Sequence, residues 1–267
     1  MFGQDIMMEK EMRIPRLDDR FIPATFLKTE EHPKRVCILS HGIFVTRSEN
    51  GRFDRFAKTL ANNDISNIRF DLSGHGNSEI PSVQSTVASM TDDIAFIYHY
   101  LRNIGVQSID IVASSFSGAL LSLLCGNKHS PSFSKVVFLN PVLDFNNVFI
   151  EAEMSEMAEI FSTNNISSAF QIGSFFPVPH FQMSRGLIVE LMSIDVPKYY
   201  KKFNMPHLVI HGTADELVSY ENTKRIVSMN RWATWKDVEG SKHAFNTEKT
   251  ESEAYKTTLN WLLIQDH

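Results

Sequence analysis

The chain has 267 residues, 43% hydrophobic, 21% charged and 11% aromatic, with 26 Lys and Arg against 31 Asp and Glu for a formal charge of −5. This composition excludes collagen-like, disulfide-scaffold and wholly disordered chains, and the mild acidic excess offers no attraction to a nucleic-acid backbone. No run of about 18 apolar residues occurs, so no membrane span is expected, and a chain this long can bury roughly 70–75% of its unfolded surface without metals or cross-links.

In chain order, residues 1–14 carry Asp5, Glu9, Lys10 and Glu11 and lack the apolar stretch of a secretory signal. Residues 12–17 and 21–28 read as a hairpin around the Asp18-Asp19-Arg20 turn. Short apolar runs at 36–40, 65–71, 109–114, 136–139 and 208–211 then read as strands. Between and after them, apolar residues at helical spacing predict helices over 52–63, 90–103, 116–127, 220–229 and 252–265, with a further strand-like run at 232–238. Near-continuous Val, Ile, Leu and Phe runs suit strands covered on both faces, and their alternation with helices predicts an α/β fold. The expected architecture is a mostly parallel central sheet with helices on both faces and an N-terminal antiparallel hairpin. Cys37 and Cys125 fall in apolar runs and read as small buried core residues, which says little about compartment; the lack of a signal stretch and of a membrane span is what makes a cytoplasmic protein expected.

Residues 144–200 break the rhythm. No clear strand is visible there, while Phe145, Phe149, Phe161, Phe170, Phe175, Phe176 and Phe181 supply seven of the chain's 20 Phe, and Met154, Met157, Met183 and Met192 add adaptable apolar surface. An insertion of this length between strands is usually functional, so 144–200 is expected to form a cap or lid on a core of 1–143 and 201–267.

The most informative segment is Ile109-Asp110-Ile111-Val112-Ala113-Ser114-Ser115-Phe116-Ser117-Gly118, where a buried strand runs directly into a helix. A tight strand–nucleophile–helix turn needs small residues two before and two after the nucleophile. Ser114 has Val112 and Phe116 at those places, and Ser117 falls within the first helical turn. Ser115, between Ala113 and Ser117, is the candidate nucleophile.

With this segment the chain resembles the α/β-hydrolase superfamily, whose elbow is usually Gly-x-Ser-x-Gly; Ala113 and Ser117 stand in place of both glycines. Ser40-His41-Gly42-Ile43-Phe44, at the end of an apolar strand, is similar to the family's His-Gly turn. The resemblance implies an oxyanion hole made by the backbone N–H groups of Ile43 and Phe116. Asp71-Leu72-Ser73-Gly74-His75-Gly76-Asn77-Ser78 is similar to a common loop of the family, in which the counterpart of His75 is structural. Gly212-Thr213-Ala214-Asp215-Glu216-Leu217-Val218 resembles the turn that carries the acid, implying Asp215, with Glu216 expected to face solvent. Gly240-Ser241-Lys242-His243 follows the 232–238 run, and His243 resembles the late catalytic histidine. His32, His41, His99, His129, His180, His207, His211 and His267 read as surface, strand-end or core residues.

The implied chemistry is acyl transfer through an acyl-enzyme on Ser115, with His243 as base and Asp215 orienting it. The chain looks similar to small cinnamoyl/feruloyl esterases and to monoacylglycerol-lipase relatives, which implies an ester with an apolar or aromatic acyl group, taken up by the Phe- and Met-rich insertion. The Ala-Ser-Ser-Phe-Ser elbow also resembles that of the bacterial luciferase-linked thioesterases, so acyl-CoA or acyl-carrier thioesters are an alternative. A ligand-binding protein on the same scaffold, an amidase, a peptidase and a carbon–carbon bond hydrolase are further readings. The expected partner is a small acyl ester or thioester, with no cofactor. No His-Glu-x-x-His helix, Cys-x-x-Cys pair or EF-hand loop points to a metal.

Overall fold

The computed structural model describes residues 7–126 and 130–264. Asp5 and the rest of residues 1–6, together with Asn127, His129, Gln265 and His267, figure in the readings above and lie outside the described residues.

The hairpin is present with a shifted first strand. Strand β1 (Met8–Pro15) pairs antiparallel with β2 (Phe21–Lys28), Pro15 facing Phe21. The turn is the five residues between them, closed by the Arg16 N–H on the Arg20 carbonyl at 2.8 Å. The expected strand ran on to Leu17, but Arg16 turns inward to an ion pair with the buried Asp93, and Leu17 is left exposed.

Beyond the hairpin the chain alternates as its apolar runs predict. Strand β3 (Arg35–Ser40) leads to helix α1 (Arg52–Ala61), β4 (Ser66–Phe70) to α2 (Val87–Asn103), and β5 (Ser108–Ser114) to α3 (Phe116–Cys125). Strand β6 (Val136–Leu139) precedes the insertion. Strand β9 (His207–Gly212), helix α8 (Tyr220–Val227), strand β10 (Ala233–Val238) and helix α9 (Glu248–Leu263) complete the core. The sheet order is β1-β2-β4-β3-β5-β6-β9-β10; β2 is antiparallel to both its neighbours, and every pairing from β4 to β10 is parallel.

Alternate side chains of the central strands feed two cores. Val36, Ile38, Ile111, Ala113, Val136 and Phe138 pack toward α2 and α3, while Cys37, Leu39, Val112, Val137 and Leu139 pack toward α1 and α9. Helix α1 buries Phe53, Phe56, Ala57, Leu60 and Ala61, a repeat of three and four that marks one helical face. Each fully buried Phe contributes about 1.5–3 kcal/mol. Helices α2 and α9 start earlier than their apolar residues alone suggest, because Thr86 with Ser89 and Thr247 with Thr250 form reciprocal capping boxes. Cys37 and Cys125 are free and buried, and desolvation raises both thiol pKa values.

The insertion contains two strands that the sequence reading missed. After helices α4 (Ser155–Ile160) and α5 (Thr163–Ile172), strands β7 (Ser174–Val178) and β8 (Phe181–Ser184) form a small antiparallel ribbon, followed by α6 (Arg185–Ser193) and α7 (Val196–Tyr200). Pro177 and Pro179 hide the ribbon in the sequence, because proline argues against a strand interior and here sits at an irregular pairing and a tight turn. Phe145, Phe149, Phe161, Phe175 and Phe181 are buried, whereas Phe170 and Phe176 face outward.

The six parallel strands place their C-terminal ends along one edge. From this edge emerge the segments after Ser40, Phe70, Ser114, Leu139, Gly212 and Val238. Open α/β sheets bind ligands at such an edge.

Candidate active site

The elbow is a strained turn whose serine hydroxyl is not spent on capping the helix. Ser115 lies between β5 and α3 with φ 52° and ψ −117°, a backbone region that L-residues rarely adopt. Its N–H donates to the Leu139 carbonyl at 2.9 Å, and its carbonyl accepts from Gly118 and Val142, each at 2.9 Å. Although Ser115 is the N-cap of α3, its side chain makes no capping bond. Ser117, standing where the family has glycine, donates its hydroxyl to the His41 carbonyl at 2.6 Å and meets Ser40 Oγ at 2.7 Å. The departure from the usual motif thus adds a bond between the elbow and the His-Gly turn.

That turn lies directly against the nucleophile. A Cβ on Gly42 would sit 3.0 Å from Ser115 Cβ and 3.4 Å from Ser115 Oγ, so a larger residue fits only if the turn or the serine gives by a few tenths of an ångström. Both peptide groups of Gly42 are held. Its N–H donates to Glu49 Oε1 at 2.7 Å, and its carbonyl accepts from His41 Nδ1 at 2.7 Å. The second bond fixes the peptide that carries the Ile43 N–H, and polarises it. Neither the Ile43 nor the Phe116 N–H has an acceptor among the described residues.

His41 and His75 brace this turn from below. His41 Nε2 accepts from the Leu72 N–H at 3.0 Å, and His75 Nε2 accepts from the Phe44 N–H at 3.1 Å. Burial depresses the pKa of both imidazoles. His75, with His41 beside it, is pushed down to about 3 and stays neutral. The expected structural place of His75 agrees with this geometry.

The late loops bring Asp215 and His243 to Ser115. His243 Nδ1 donates to Asp215 Oδ2 at 2.8 Å, and His243 Nε2 accepts from Ser115 Oγ at 2.9 Å. The other oxygen of Asp215 accepts the Leu217 and Val218 N–H groups, each at 2.9 Å. Burial works to raise the Asp215 pKa, but the charge of His243 and the bonds from His211 and His243 hold it well below the carboxylate range. For His243, burial lowers the pKa, and the charge and hydrogen bond of Asp215 outweigh it, leaving it above its ordinary value.

Glu216 does not simply face solvent as expected. Its Oε2 accepts the His243 N–H at 3.1 Å, so neighbouring carboxylates hold the backbone and the ring of the same histidine. Two further residues were missed. His211 Nε2 lies 3.1 Å from Asp215 Oδ2, a contact foreshadowed by their four-residue spacing across the strand end. Asn140, with φ 43°, donates its amide to the His243 carbonyl and accepts the Gly212 N–H at 2.8 Å. Its only sequence signal is an Asn-Pro pair closing a buried strand.

An aromatic array continues from Phe116 into the insertion. Phe116 stacks on Phe145 at 5.2 Å, and Phe149, Phe161 and Phe175 follow edge to face. On the other side Phe44 meets Phe181 at 5.2 Å, and His180 Nε2 donates to the Phe44 carbonyl at 2.9 Å. Among the described residues no group of three or more His, Cys, Asp or Glu side chains could hold a metal ion, and no helix is long and apolar enough to cross a membrane.

The sheet order, elbow and flanking helices are those of an α/β hydrolase. The family described as serine aminopeptidase, S33, matches residues 31–171, and the chain belongs to it. That match takes in Gly42, Ser115 and Phe116 and ends before Asp215 and His243. The fold is similar to that of Est1E from Butyrivibrio proteoclasticus with ferulic acid bound, at 19% identity and a TM-score of 0.75, covering 95% of this chain and 100% of that one. It is also similar to the esterase EaEST from Exiguobacterium antarcticum, at 16% identity and a TM-score of 0.70, covering 95% and 99%. The Pyrococcus furiosus esterase Pf2001 aligns at 15% identity and a TM-score of 0.74, covering 96% and 91%. At these identities the likeness is one of fold. No curated protein matches the chain by sequence.

Proposed function

We propose that the protein is a carboxylic ester hydrolase, working in the cytoplasm on a small ester with an apolar or aromatic acyl group. The observation that carries this reading is the unbroken line from Ser115 Oγ to His243 Nε2 at 2.9 Å and from His243 Nδ1 to Asp215 Oδ2 at 2.8 Å. Ser115 Oγ attacks the acyl carbonyl as its proton passes to His243 Nε2. Asp215 keeps the proton of Nδ1 in place and stabilises the imidazolium. The Ile43 and Phe116 N–H groups receive the developing oxyanion, where one such donor is worth about 10²–10³ in turnover. His243 then gives its proton to the leaving alcohol. It next deprotonates a water that releases the acid and restores the Ser115 hydroxyl.

Residues 144–200 act as the cap over this centre in the same proposal, with residues 1–143 and 201–267 as the core. Support comes from the ring array that joins Phe116 to Phe161 and Phe175 within the insertion. The test is hydrolysis of p-nitrophenyl esters from acetate to decanoate by wild type and Ser115→Ala. The variant is expected to lose roughly 10⁴–10⁶ in kcat, and equal rates would remove Ser115 as nucleophile. Acyl-CoA hydrolysis faster than that of the matching oxygen ester would turn the assignment to a thioesterase. The family description favours one further comparison, with aminoacyl p-nitroanilides; their faster cleavage would make the protein a peptidase.

A further inference from the structure

We infer that Glu49 and Arg52 are positioning residues that clamp the oxyanion turn to the histidine loop, so that the backbone donors and the base keep one fixed separation. The inference rests on the ester-hydrolase reading above and adds two residues to it.

The clamp is a continuous chain of charge-assisted bonds. Glu49 Oε1 takes the Gly42 N–H at 2.7 Å, Glu49 Oε2 takes Arg52 Nη2 at 2.5 Å, and Arg52 Nη1 donates to the Ala244 carbonyl at 2.7 Å. One end is therefore the residue before the Ile43 donor, and the other is the residue after His243. The carboxylate of Glu49 is 2% exposed, which is costly for a charge unless both oxygens are bonded. Both are. The backbone is bent to bring this about: Glu49, Asn50 and Gly51 have φ of 48°, 56° and 84° in succession. Glutamate gains nothing locally from a left-handed conformation, so strain at this position points to a role for where its side chain ends up. Arg52 is the first residue of α1, so the clamp is seated on a helix packed through Phe53 and Phe56 into the core.

The pair also frames the charge on His243. Asp215 faces the ring from the turn after β9, with His211 on the same carboxylate, and Glu216 holds the His243 N–H. Lys242 adjoins on its own loop, and Glu49, from the segment leading into α1, and Arg52, the first residue of that helix, face it from the other side. Glu49 favours the imidazolium and Arg52 opposes it. As a near-neutral pair they hold two loops together without displacing the base from its working range.

The experiment measures kcat, KM and the acid limb of the kcat/KM profile for p-nitrophenyl butyrate. Glu49→Ala is expected to lose roughly 10–10²-fold in kcat with KM changed by less than about threefold, since only transition-state contacts shift. Glu49→Gln keeps an acceptor for Gly42, so its kcat falls less, and its acid limb moves to lower pH. Arg52→Met moves the limb to higher pH. Opposite displacements are the signature that a merely structural contact does not produce. Because each single variant leaves a buried charge unpaired, the double variant Glu49→Gln/Arg52→Met serves as the folded control, with low kcat and a limb near that of wild type. Folded variants with kcat within threefold of wild type and unshifted limbs would overturn the clamp. Failure of the ester-hydrolase reading is separately visible, as wild-type hydrolysis that survives Ser115→Ala. In that event amide exchange at Gly42 still reads the clamp, faster in Glu49→Ala if it exists and unchanged if it does not.

Discussion

His211 lies against the carboxylate that orients His243: its Nε2, which donates to the Val218 carbonyl at 3.3 Å, is 3.1 Å from Asp215 Oδ2, the same oxygen that His243 Nδ1 reaches at 2.8 Å. With the Leu217 and Val218 N–H groups on the other oxygen, Asp215 has three hydrogen-bond donors and a second imidazole around a buried charge. That is why it stays ionised where burial alone would neutralise it.

The two shifts around this carboxylate have opposite pH signatures. Asp215 is depressed in the folded state, so its contribution to stability is present above its unfolded value near about 3.9 and is lost as pH falls through the lower folded value. His243 is raised, so its contribution is complete below about 6.5 and is lost as pH rises through the folded value. Urea midpoints of wild type and Asp215→Asn should therefore differ most between about pH 4 and 6.5, the gap closing as pH falls further and losing only the His243 part as pH rises. The acid limb of kcat/KM in wild type should inflect above pH 6.5, with kcat falling about 10⁴-fold in Asp215→Asn.

Gly42→Ala tests the contact between the oxyanion turn and the nucleophile. The added methyl would lie 3.0 Å from Ser115 Cβ, against an elbow held by bonds to Leu139, Gly118 and Val142. The turn has to yield, taking the Ile43 donor with it. A loss of about 10²-fold in kcat is expected, with the far-ultraviolet circular dichroism spectrum unchanged; full activity would show that the turn has slack.

His75→Ala separates the bracing histidine from the base. It removes the acceptor of the Phe44 N–H, so kcat should fall roughly tenfold through a loosened turn. Because His75 is neutral down to about pH 3, the acid limb should not move. A displaced limb would mean that His75 titrates in the working range.

On the far face, Phe56 of α1 stacks on Tyr255 of α9 with centroids 4.3 Å apart. It is fully buried, so Phe56→Ala should lower the unfolding free energy by about 3–5 kcal/mol in a denaturant titration. A loss under about 1 kcal/mol would mean that the two helices close over the cavity.

The strands and the Ser115, Asp215 and His243 segments were legible because each combines an apolar run with a special turn at its end. Less visible were residues whose work depends on distant loops. Asn140 meets His243 and Gly212, Glu49 meets Gly42, and His211 meets Asp215; these are ordinary residue types whose partners only the folded sheet edge brings together. Glu216 was misread because a carboxylate next to the acid looks dispensable until the loop carrying His243 folds over it. The β7–β8 ribbon escaped notice because its prolines contradict strand propensity, and tertiary packing of Phe175, Phe181 and Met183 overrode that preference.

The two walled-in thiols make the molecule its own reporter. Cys37 sits mid-strand among α1 and α9 side chains, and Cys125 ends α3 on the opposite face. A maleimide can tag either one only when its layer opens, so mapping which cysteine is alkylated first under native buffer would rank the two halves of the core by local breathing, with no engineered label.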